Sequence, residues 1–238
     1  MSRCARPCIV SRLSRRTPPV NRAELASIID HTQLRADATQ EHITTLCREA
    51  IEYGFANVSV NPTWVRYCAK RLDGAGVGIN PTIGFPLGAT TAHVKVEEVR
   101  DAVRNGATEL DVVLNVGALR SGFHEYVEKE IVAVVHAAAG RPIKVILETG
   151  YLSDDEKRLA CEMCLRSGAA FVKTATGFGR SGATIEDVAL MREVVGDRLG
   201  VKAAGGIRTY GDAMAMIRAG ADRLGTSASL EILAGAPE

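Results

Sequence analysis

The chain alternates short strand-like segments with longer helix-like segments almost from end to end, and this alternation limits the folds open to it. The strand-like segments are rich in β-branched residues and end near Gly, Asn or Pro. Eight are present: one leading to Asp30, then residues 55–60, 77–85, 108–115, 143–149, 170–176, 200–204 and 221–226. Eight βα units in sequence predict one eight-stranded parallel (β/α)8 barrel of the TIM type.

Capping signals mark the helices between those strands. Ser153 and Glu156 have the spacing of a capping box, and we expect that helix to end at Gly168. Other helix starts are predicted at Thr39, Pro62, Thr90 or Thr91, Thr184 and Thr209, with further helices over 127–139 and 230–233 and a short one over 21–26 that caps the barrel bottom. The alternative, an open doubly wound sheet, is disfavoured because the first βα turn, DHTQLR from Asp30, lacks a glycine fingerprint.

Composition excludes several classes of protein. The 238 residues carry 29 Lys and Arg against 28 Asp and Glu, and only 5% are aromatic. A net charge near zero and few stacking side chains argue against a nucleic-acid partner. No stretch is apolar over the length of a membrane span, and the five histidines show no ligand spacing, so neither a membrane location nor a metal site is expected.

The first 20 residues differ from the rest, with five arginines and no acidic residue. We interpret residues 1–20 as a basic, disordered extension rather than as a targeting peptide, and residues 21–238 as one domain. Scattered cysteines fit a reducing cytoplasm. Cys161 and Cys164 form a C-x-x-C pair, but inside a helical pattern and without a second ligand pair, which favours packing over a metal or redox role.

Two lysines interrupt apolar strands, Lys173 in the sixth and Lys202 in the seventh. Neighbouring strands lie about 4.8 Å apart, so two inward-facing amines would lie close together. Burial and a nearby like charge both lower the pKa of an ammonium group, and a neutral lysine attacks carbonyl carbon to form an imine. Taken singly, each lysine has a structural explanation, an ion pair with a carboxylate such as Asp111 or Glu148.

Barrel enzymes hold their sites at the carboxyl ends of the strands, so the candidates are the polar strand residues that we expect near those ends. They are Asp30, Asn57, Asp111, Asn115, Lys144, Glu148, Lys173 and Lys202. Asp111 lies between apolar residues of the fourth strand and therefore needs a partner or a task. Aldol chemistry offers proton transfer as that task, and pairing with Lys144 or Lys202 is an equal alternative on these grounds.

Glycine-rich turns follow strands six, seven and eight. Glycines let backbone N–H groups approach an anion, and barrels commonly bind phosphate after strands seven and eight. The predicted phosphate-binding residues are Gly177, Gly205, Gly206, Arg208, Gly225 and Ser227. One Gly-Gly pair alone would indicate only a tight turn, but glycine-rich turns after both of the last strands favour a phosphate site.

Six segments together resemble the deoxyribose-phosphate aldolase family of class I aldolases. They are IIDHT (28–32), ELDVVLN (109–115), KVILETG (144–150), FVKTATGF (171–178), VKAAGGIR (201–208) and GTS (225–227), in family order and covering residues 21 to the end. The FVKT and VKAAGG motifs are the specific ones. The basic extension lies outside the resemblance.

The resemblance implies reversible cleavage of 2-deoxy-D-ribose 5-phosphate to D-glyceraldehyde 3-phosphate and acetaldehyde, without a metal or cofactor, by a homodimer. It assigns Lys173 as the Schiff-base residue, Lys202 as the group that depresses its pKa and moves protons, and Asp111 as proton donor and acceptor. Two positions depart from the pattern of some members: Phe178 replaces a lysine near the phosphate, and Ser59 replaces a cysteine.

Two alternatives stay open. A different Schiff-base aldolase would act on another sugar phosphate and would be separated by substrate profiling. A non-catalytic phosphosugar-binding barrel would bind ligand without turnover and would keep a Lys173 amine of ordinary basicity.

Overall fold

Eight parallel strands close into a barrel in the computed structural model, which describes residues 20–237. They pair in sequence order, and the last strand pairs with the first. The strands are Ile29–Gln33 (β1), Asn57–Val60 (β2), Gly78–Ile83 (β3), Leu110–Val113 (β4), Ile143–Ile146 (β5), Phe171–Lys173 (β6), Gly200–Ala204 (β7) and Arg223–Thr226 (β8). The predicted (β/α)8 barrel is confirmed.

The helices surround this barrel. They are Arg22–Ala26 (α1), Gln40–Tyr53 (α2), Val65–Arg71 (α3), Ala92–Asn105 (α4), Val116–Arg120 (α5), His124–Ala137 (α6), Asp154–Ser167 (α7), Ile185–Val195 (α8), Tyr210–Ala219 (α9) and Ser229–Ala234 (α10). The predicted capping box of α7 is present, since Ser153 accepts from the Glu156 N–H and Glu156 accepts from the Ser153 N–H. Gly168 ends α7 in the left-handed conformation, as predicted.

Most strands are shorter than the apolar segments that predicted them, because those segments include the loops that leave the barrel. The segment over 170–176, for example, holds only the three residues of β6, and its remainder forms the loop at the barrel mouth. The sequence pattern also missed α5, a single turn capped by the Asn115 side chain, which accepts from the Ala118 N–H. Short capped turns of this kind leave no apolar periodicity.

Two layers of side chains hold the barrel together. Outward-facing residues of the strands pack against the helices as a continuous apolar core. The interior is more polar, and its lower end holds the Phe171 ring, which lies where a side chain at Gly200 would be. A Cβ at Gly200 would lie 2.2 Å from that ring, so glycine is required there for space.

The first and last described segments meet near the amino ends of the strands. α1 immediately precedes β1, and the Arg22 N–H donates to the Pro237 carbonyl over 3.0 Å. Val20 is buried and its carbonyl accepts from the Tyr210 hydroxyl, so the folded domain includes it. The predicted basic extension otherwise falls on residues 1–19, outside the described residues. Among the helices of residues 20–237, none has the length and apolar character needed to span a bilayer.

Candidate active site

Charged side chains from six strands meet inside the barrel. Strand residues alternate between the two faces of a sheet, and the register sets Asp111 beside Lys144 and Lys173 beside Lys202. We name this set the buried charge cluster; it consists of Asp30, Glu109, Asp111, Lys144, Lys173, Lys202 and Arg223. Its members belong to β1, β4, β5, β6, β7 and β8 or, for Glu109, directly precede β4.

Asp111 is the centre of the upper half of the cluster. Its Oδ2 accepts from Lys173 Nζ and from Lys202 Nζ, each over 2.7 Å. Its Oδ1 lies 3.3 Å from Lys144 Nζ. The aspartate and the two lower lysines are fully buried, whereas Lys173, the last residue of β6, is 3% exposed. Lys173 is therefore the lysine of the cluster that is nearest to the barrel mouth.

The lower half of the cluster surrounds Asp30. Its carboxylate pairs with Lys202 and accepts from Arg223 over 2.7 Å. Glu109 lies 2.6 Å from Lys144 and 3.2 Å from Arg223, which closes the network. Buried ions cost several kcal/mol each unless they are paired, so this connectivity is what allows the charges to stay inside the barrel.

The Lys173 amine is poised between its two protonation states. Burial is the main cause that lowers the pKa of Lys173 to about 8, and the Lys202 ammonium lowers it further, while Asp111 opposes both. By contrast, the pKa of Lys144 is raised, because its carboxylate neighbours Asp111, Asp30 and Glu109 outweigh its burial. Although burial raises the pKa of Asp111, its three lysine neighbours hold it well below the usual range.

A cavity of about 500 Å³ opens above Lys173 at the carboxyl ends of the strands. The loops after β1, β6, β7 and β8 form its walls. All six predicted phosphate-binding residues line it, and they are Gly177, Gly205, Gly206, Arg208, Gly225 and Ser227. The glycines at 177, 205 and 206 have positive φ angles of 85°, 94° and 80°, which turn the backbone in a way that other residues rarely adopt.

This arrangement suits covalent catalysis on a phosphorylated carbonyl compound. An amine with a pKa near 8 is a nucleophile at neutral pH, and a carboxylate 2.7 Å away can exchange protons with it. The rim of the cavity offers backbone donors and an arginine to an anion. Within residues 20–237, no group of three or more His, Cys, Asp and Glu side chains is arranged to hold a metal ion.

Known proteins share this sequence and this fold. A sequence model of the DeoC/LacD family aldolases matches residues 25–235. The chain belongs to this aldolase family. Relatives called deoxyribose-phosphate aldolase occur in Listeria welshimeri serovar 6b, 54% identical over 212 residues (89% of this chain, 95% of the relative), and in Streptococcus pneumoniae serotype 19F, also 54% identical (89% and 96%).

A solved structure also supports the assignment of the chain to this aldolase family. The tetrameric deoxyribose phosphate aldolase from Aeropyrum pernix has a TM-score of 0.84 and 37% identity, over 89% of this chain and 90% of that one. The resemblance inferred from the sequence motifs is thus confirmed at the level of the family.

The polar strand residues that the sequence singled out in this aldolase divide into three groups. Asp30, Asp111, Lys144, Lys173 and Lys202 join the buried charge cluster. Asn57 begins β2 at the opposite end from the mouth, where it donates to Asp30 over 2.7 Å. Asn115 caps α5 and Glu148 accepts from Thr176, so neither contacts the lysines. The expectation that all eight lie near the carboxyl ends was wrong, because polar residues occupy every level of this barrel interior.

Three residues that contact the charged groups inside the barrel were not predicted from the sequence. Arg223 and Glu109 close the lower end of the cluster, and Asn80 of β3 accepts from Lys144 over 2.9 Å. Asn80 could have been predicted, because it is a polar residue inside an apolar strand segment, as Asp111 is. Arg223 and Glu109 lie at the edges of their strands, where a charged residue normally indicates solvent.

Glu148 fixes the loop after β6. It adopts the left-handed conformation (φ 55°), and its Oε2 accepts from the Thr176 N–H over 3.1 Å and from the Thr176 hydroxyl over 2.5 Å. The Thr176 hydroxyl in turn accepts from the Phe178 N–H. These bonds orient Gly177 toward the cavity, and a Cβ at Gly179 would lie 2.7 Å from the Glu148 carboxylate.

Replacing Glu148 should therefore weaken substrate binding more than chemistry. We expect Glu148→Leu to raise KM for a phosphorylated substrate roughly tenfold, the equivalent of one or two lost hydrogen bonds, with a smaller change in kcat. Glu148→Gln retains an acceptor oxygen and should restore most of the loss. Steady-state kinetics of both variants check this, and a fall confined to kcat would contradict it.

The two departures from the family pattern lie in different places. Phe178 is exposed at the mouth, packs edge-on against Phe85 with ring centroids 5.3 Å apart, and lines the cavity. Ser59 is buried in β2 on the same face as Asn57. Cys161 and Cys164 are both buried in α7, and burial raises the pKa of the Cys161 thiol to about 12.

Proposed function

We propose that this aldolase reversibly cleaves 2-deoxy-D-ribose 5-phosphate to D-glyceraldehyde 3-phosphate and acetaldehyde through a Schiff base on Lys173. The observation that carries the proposal is the position of the Lys173 amine, bonded to Asp111 over 2.7 Å and lining a cavity with a glycine-rich rim. The names of the relatives indicate the sugar phosphate. The proposed reaction needs no metal, because a protonated imine is itself an electron sink.

The reaction starts at the neutral amine. Lys173 Nζ adds to the C1 aldehyde of the open-chain sugar, and loss of water from the carbinolamine gives a protonated imine. Both steps move protons to and from oxygen, and Asp111 is the nearest group to Nζ that accepts and returns them. Lys202, on the same Asp111 oxygen, takes part in that exchange.

Carbon–carbon cleavage follows. Removal of the C3 hydroxyl proton turns C3 into the aldehyde of glyceraldehyde 3-phosphate, the C2–C3 bond breaks, and its electron pair passes into the iminium group to give an enamine on Lys173. A proton added at C2 converts this enamine into the imine of acetaldehyde. Water then releases acetaldehyde and restores the amine.

The phosphate is assigned to the glycine-rich rim of the cavity. The backbone N–H groups of Gly177, Gly205 and Gly206 donate no hydrogen bond elsewhere within residues 20–237, which leaves them for an anion. The Arg208 side chain is exposed at the rim and Ser227 adds a hydroxyl. Phe178 at the mouth carries no charge, so Arg208 and the backbone donors contact the phosphate.

Borohydride trapping tests the proposal directly. Incubation with acetaldehyde and sodium borohydride should attach an ethyl group irreversibly to Lys173, identified by peptide mass mapping, and abolish turnover. Lys95, which is also buried and paired with a carboxylate, is the internal control and should stay unmodified. Trapping on another lysine, or none, would refute the Schiff-base assignment. Trapping without cleavage of deoxyribose 5-phosphate would indicate another substrate.

The pKa of Lys173 predicts a pH dependence. With a pKa of about 8, roughly a tenth of the amine is neutral at pH 7, whereas a lysine of pKa 10.5 would be only about 0.03% neutral. The nucleophilic form increases as pH rises, so the rate of imine formation should rise about tenfold from pH 7 to pH 9 with a midpoint near pH 8. Trapping rates against pH measure this, and a midpoint above about pH 10 would contradict it.

Lys202→Leu should slow the reaction by about 10²–10³-fold, because it removes a proton-transfer group and a like charge beside Lys173. Without that charge the pKa of Lys173 rises, so part of the loss should be recovered at higher pH. Inorganic phosphate binding, measured by calorimetry, should stay within about twofold of the unchanged protein, since Lys202 is buried below the cavity. An equal loss of phosphate binding would indicate that the barrel itself is damaged.

We also propose that this aldolase is a homodimer located in the cytoplasm, where it acts on a sugar phosphate and aldehydes. Large apolar side chains stay exposed on the monomer, with Leu87 75% and Phe123 63% exposed, and the A. pernix relative is tetrameric. Analytical ultracentrifugation decides the point, and a monomer at micromolar concentration would overturn it.

A further inference from the structure

The buried charge cluster holds an uneven number of charges. Four of its members are cationic and three are anionic when every group is ionised. The cations are Lys144, Lys173, Lys202 and Arg223, and the anions are Asp30, Glu109 and Asp111. The fully ionised cluster therefore carries a charge of +1, and the loss of one proton makes it neutral.

Net charge in a low-dielectric interior is costly, so the cluster favours the loss of one proton. Arg223 does not release its proton under ordinary conditions. Lys144 contacts two carboxylates closely, Glu109 at 2.6 Å and Asp111 at 3.3 Å, and Lys202 pairs with both Asp30 and Asp111. Lys173 has a single carboxylate partner, Asp111, which it shares with Lys202.

The lower end of the cluster is the part that can change this balance without touching the substrate. Glu109 and Arg223 have side chains 18% and 12% exposed, near the amino ends of β4 and β8 and on the far side of the lysines from the cavity. They pair with each other over 3.2 Å, and each also contacts one deeper member, Lys144 or Asp30.

We propose that Glu109 and Arg223 are positioning residues which fix the net charge of the buried charge cluster and so make Lys173 the lysine of the cluster that gives up a proton most readily. The inference rests on the proposed function, because it concerns the same amine. Two residues near the amino ends of the strands thus influence the protonation of Lys173 at the carboxyl ends, through the contacts of Lys144, Asp30 and Asp111.

Other buried charges do not enter the balance. Lys157 pairs with Asp187 between α7 and α8, and Arg192 pairs with Asp222, both outside the barrel wall behind β6 and β7. Glu148, above β5, accepts from Thr176 rather than from a lysine. Lys95 and Glu130 pair between α4 and α6. The groups that face Lys173 from the neighbouring strands are Asp111, Lys202 and Asp30.

Opposite charge changes at the floor should move the reactivity of Lys173 in opposite directions. Glu109→Gln leaves the ionised cluster at +2, which favours deprotonation. When the rate of cyanoborohydride trapping with acetaldehyde is measured against pH, the midpoint of this profile should therefore fall by about one pH unit. Arg223→Gln leaves the ionised cluster neutral, which favours the protonated amine, so the midpoint should rise by about one pH unit. The double variant restores +1 and should return the midpoint close to that of the unchanged protein.

Charge-conserving variants separate this effect from damage to the fold. Glu109→Asp and Arg223→Lys alter the same contacts but keep the charge, so their midpoints should stay within about 0.3 pH units of the unchanged protein, well inside the one-unit effect of a full charge. Midpoints that do not move in either Gln variant, or that move in the same direction in both, would overturn the proposal. If Arg223→Gln fails to fold, Glu109→Gln against Glu109→Asp decides the question alone. Absence of trapping on the unchanged protein would instead refute the Schiff-base function.

Discussion

Lys173→Met is expected to reduce aldolase turnover by about 10⁴-fold or more, because it removes the proposed covalent nucleophile and leaves only binding and electrostatic contributions. Methionine keeps the length of the lysine stem but carries no amine. Asp111 retains Lys202 and Lys144 as partners, so the barrel should fold. The cavity keeps its rim, and the variant should still bind inorganic phosphate.

Lys95→Met is the matched control for that variant. Lys95 is as deeply buried and also has one carboxylate partner, Glu130, but it lies between α4 and α6. Its replacement should lower stability and leave kcat/KM near the level of the unchanged protein. Turnover by purified Lys173→Met above about one hundredth of the original rate would contradict the assignment of Lys173 as nucleophile.

Asp111→Leu should combine the second largest loss of activity with the largest loss of stability. The change removes the carboxylate that accepts from Lys173 and Lys202, and breaking a buried ion pair from one side costs about 3–5 kcal/mol. Loss of Asp111 as the proposed proton donor and acceptor should lower kcat by about 10²–10⁴-fold in addition.

The stability of Asp111→Leu should depend on pH with a defined sign. Asp111 raises the pKa of Lys173, so without it the folded-state pKa of Lys173 falls further below its unfolded value of about 10.4. The destabilisation is then greatest at low pH, where the buried Lys173 amine is charged in the unfolded chain, and decreases as pH rises toward that value. Urea unfolding at two pH values measures this, and an equal loss of stability at both would contradict it.

Asp187→Leu provides the control on the carboxylate side. Asp187 is buried and pairs with Lys157 over 2.7 Å, but it lies in α8 outside the barrel. Its replacement should reduce stability without the large fall in kcat. A loss of kcat as large as that of Asp111→Leu would mean that disturbance of the outer layer alone accounts for the effect.

The sequence predicted the barrel because the evidence for it is local. Cap residues such as Ser153 and Thr39 and the apolar runs between them each act within a few positions of the chain. It also named the two lysines and Asp111, since a charge inside an apolar strand is visible in a short window. The family motifs around those residues then supplied the substrate class.

The level of each side chain inside the barrel could not be predicted in the same way. It depends on the register of the closed sheet, which sets Lys173 at the end of β6 and Lys202 in the middle of β7. Arg223 contacts Asp30 across 193 positions of the chain, so its role follows from closure of the barrel. A strand-edge arginine carries no sign of such a partner in its own neighbourhood.

The filled floor of the barrel also affects the order in which two aldehydes bind when the proposed reaction runs in reverse and forms the carbon–carbon bond. Below Lys173 the interior is occupied by buried ions and by the Phe171 ring, so the amine meets reactants from the cavity side. A short aldehyde must reach the bottom of this blind passage and bond to the amine before a phosphorylated aldehyde occupies the rim above it. Excess of the phosphorylated partner should then obstruct its own reaction, whereas excess of the short aldehyde should not.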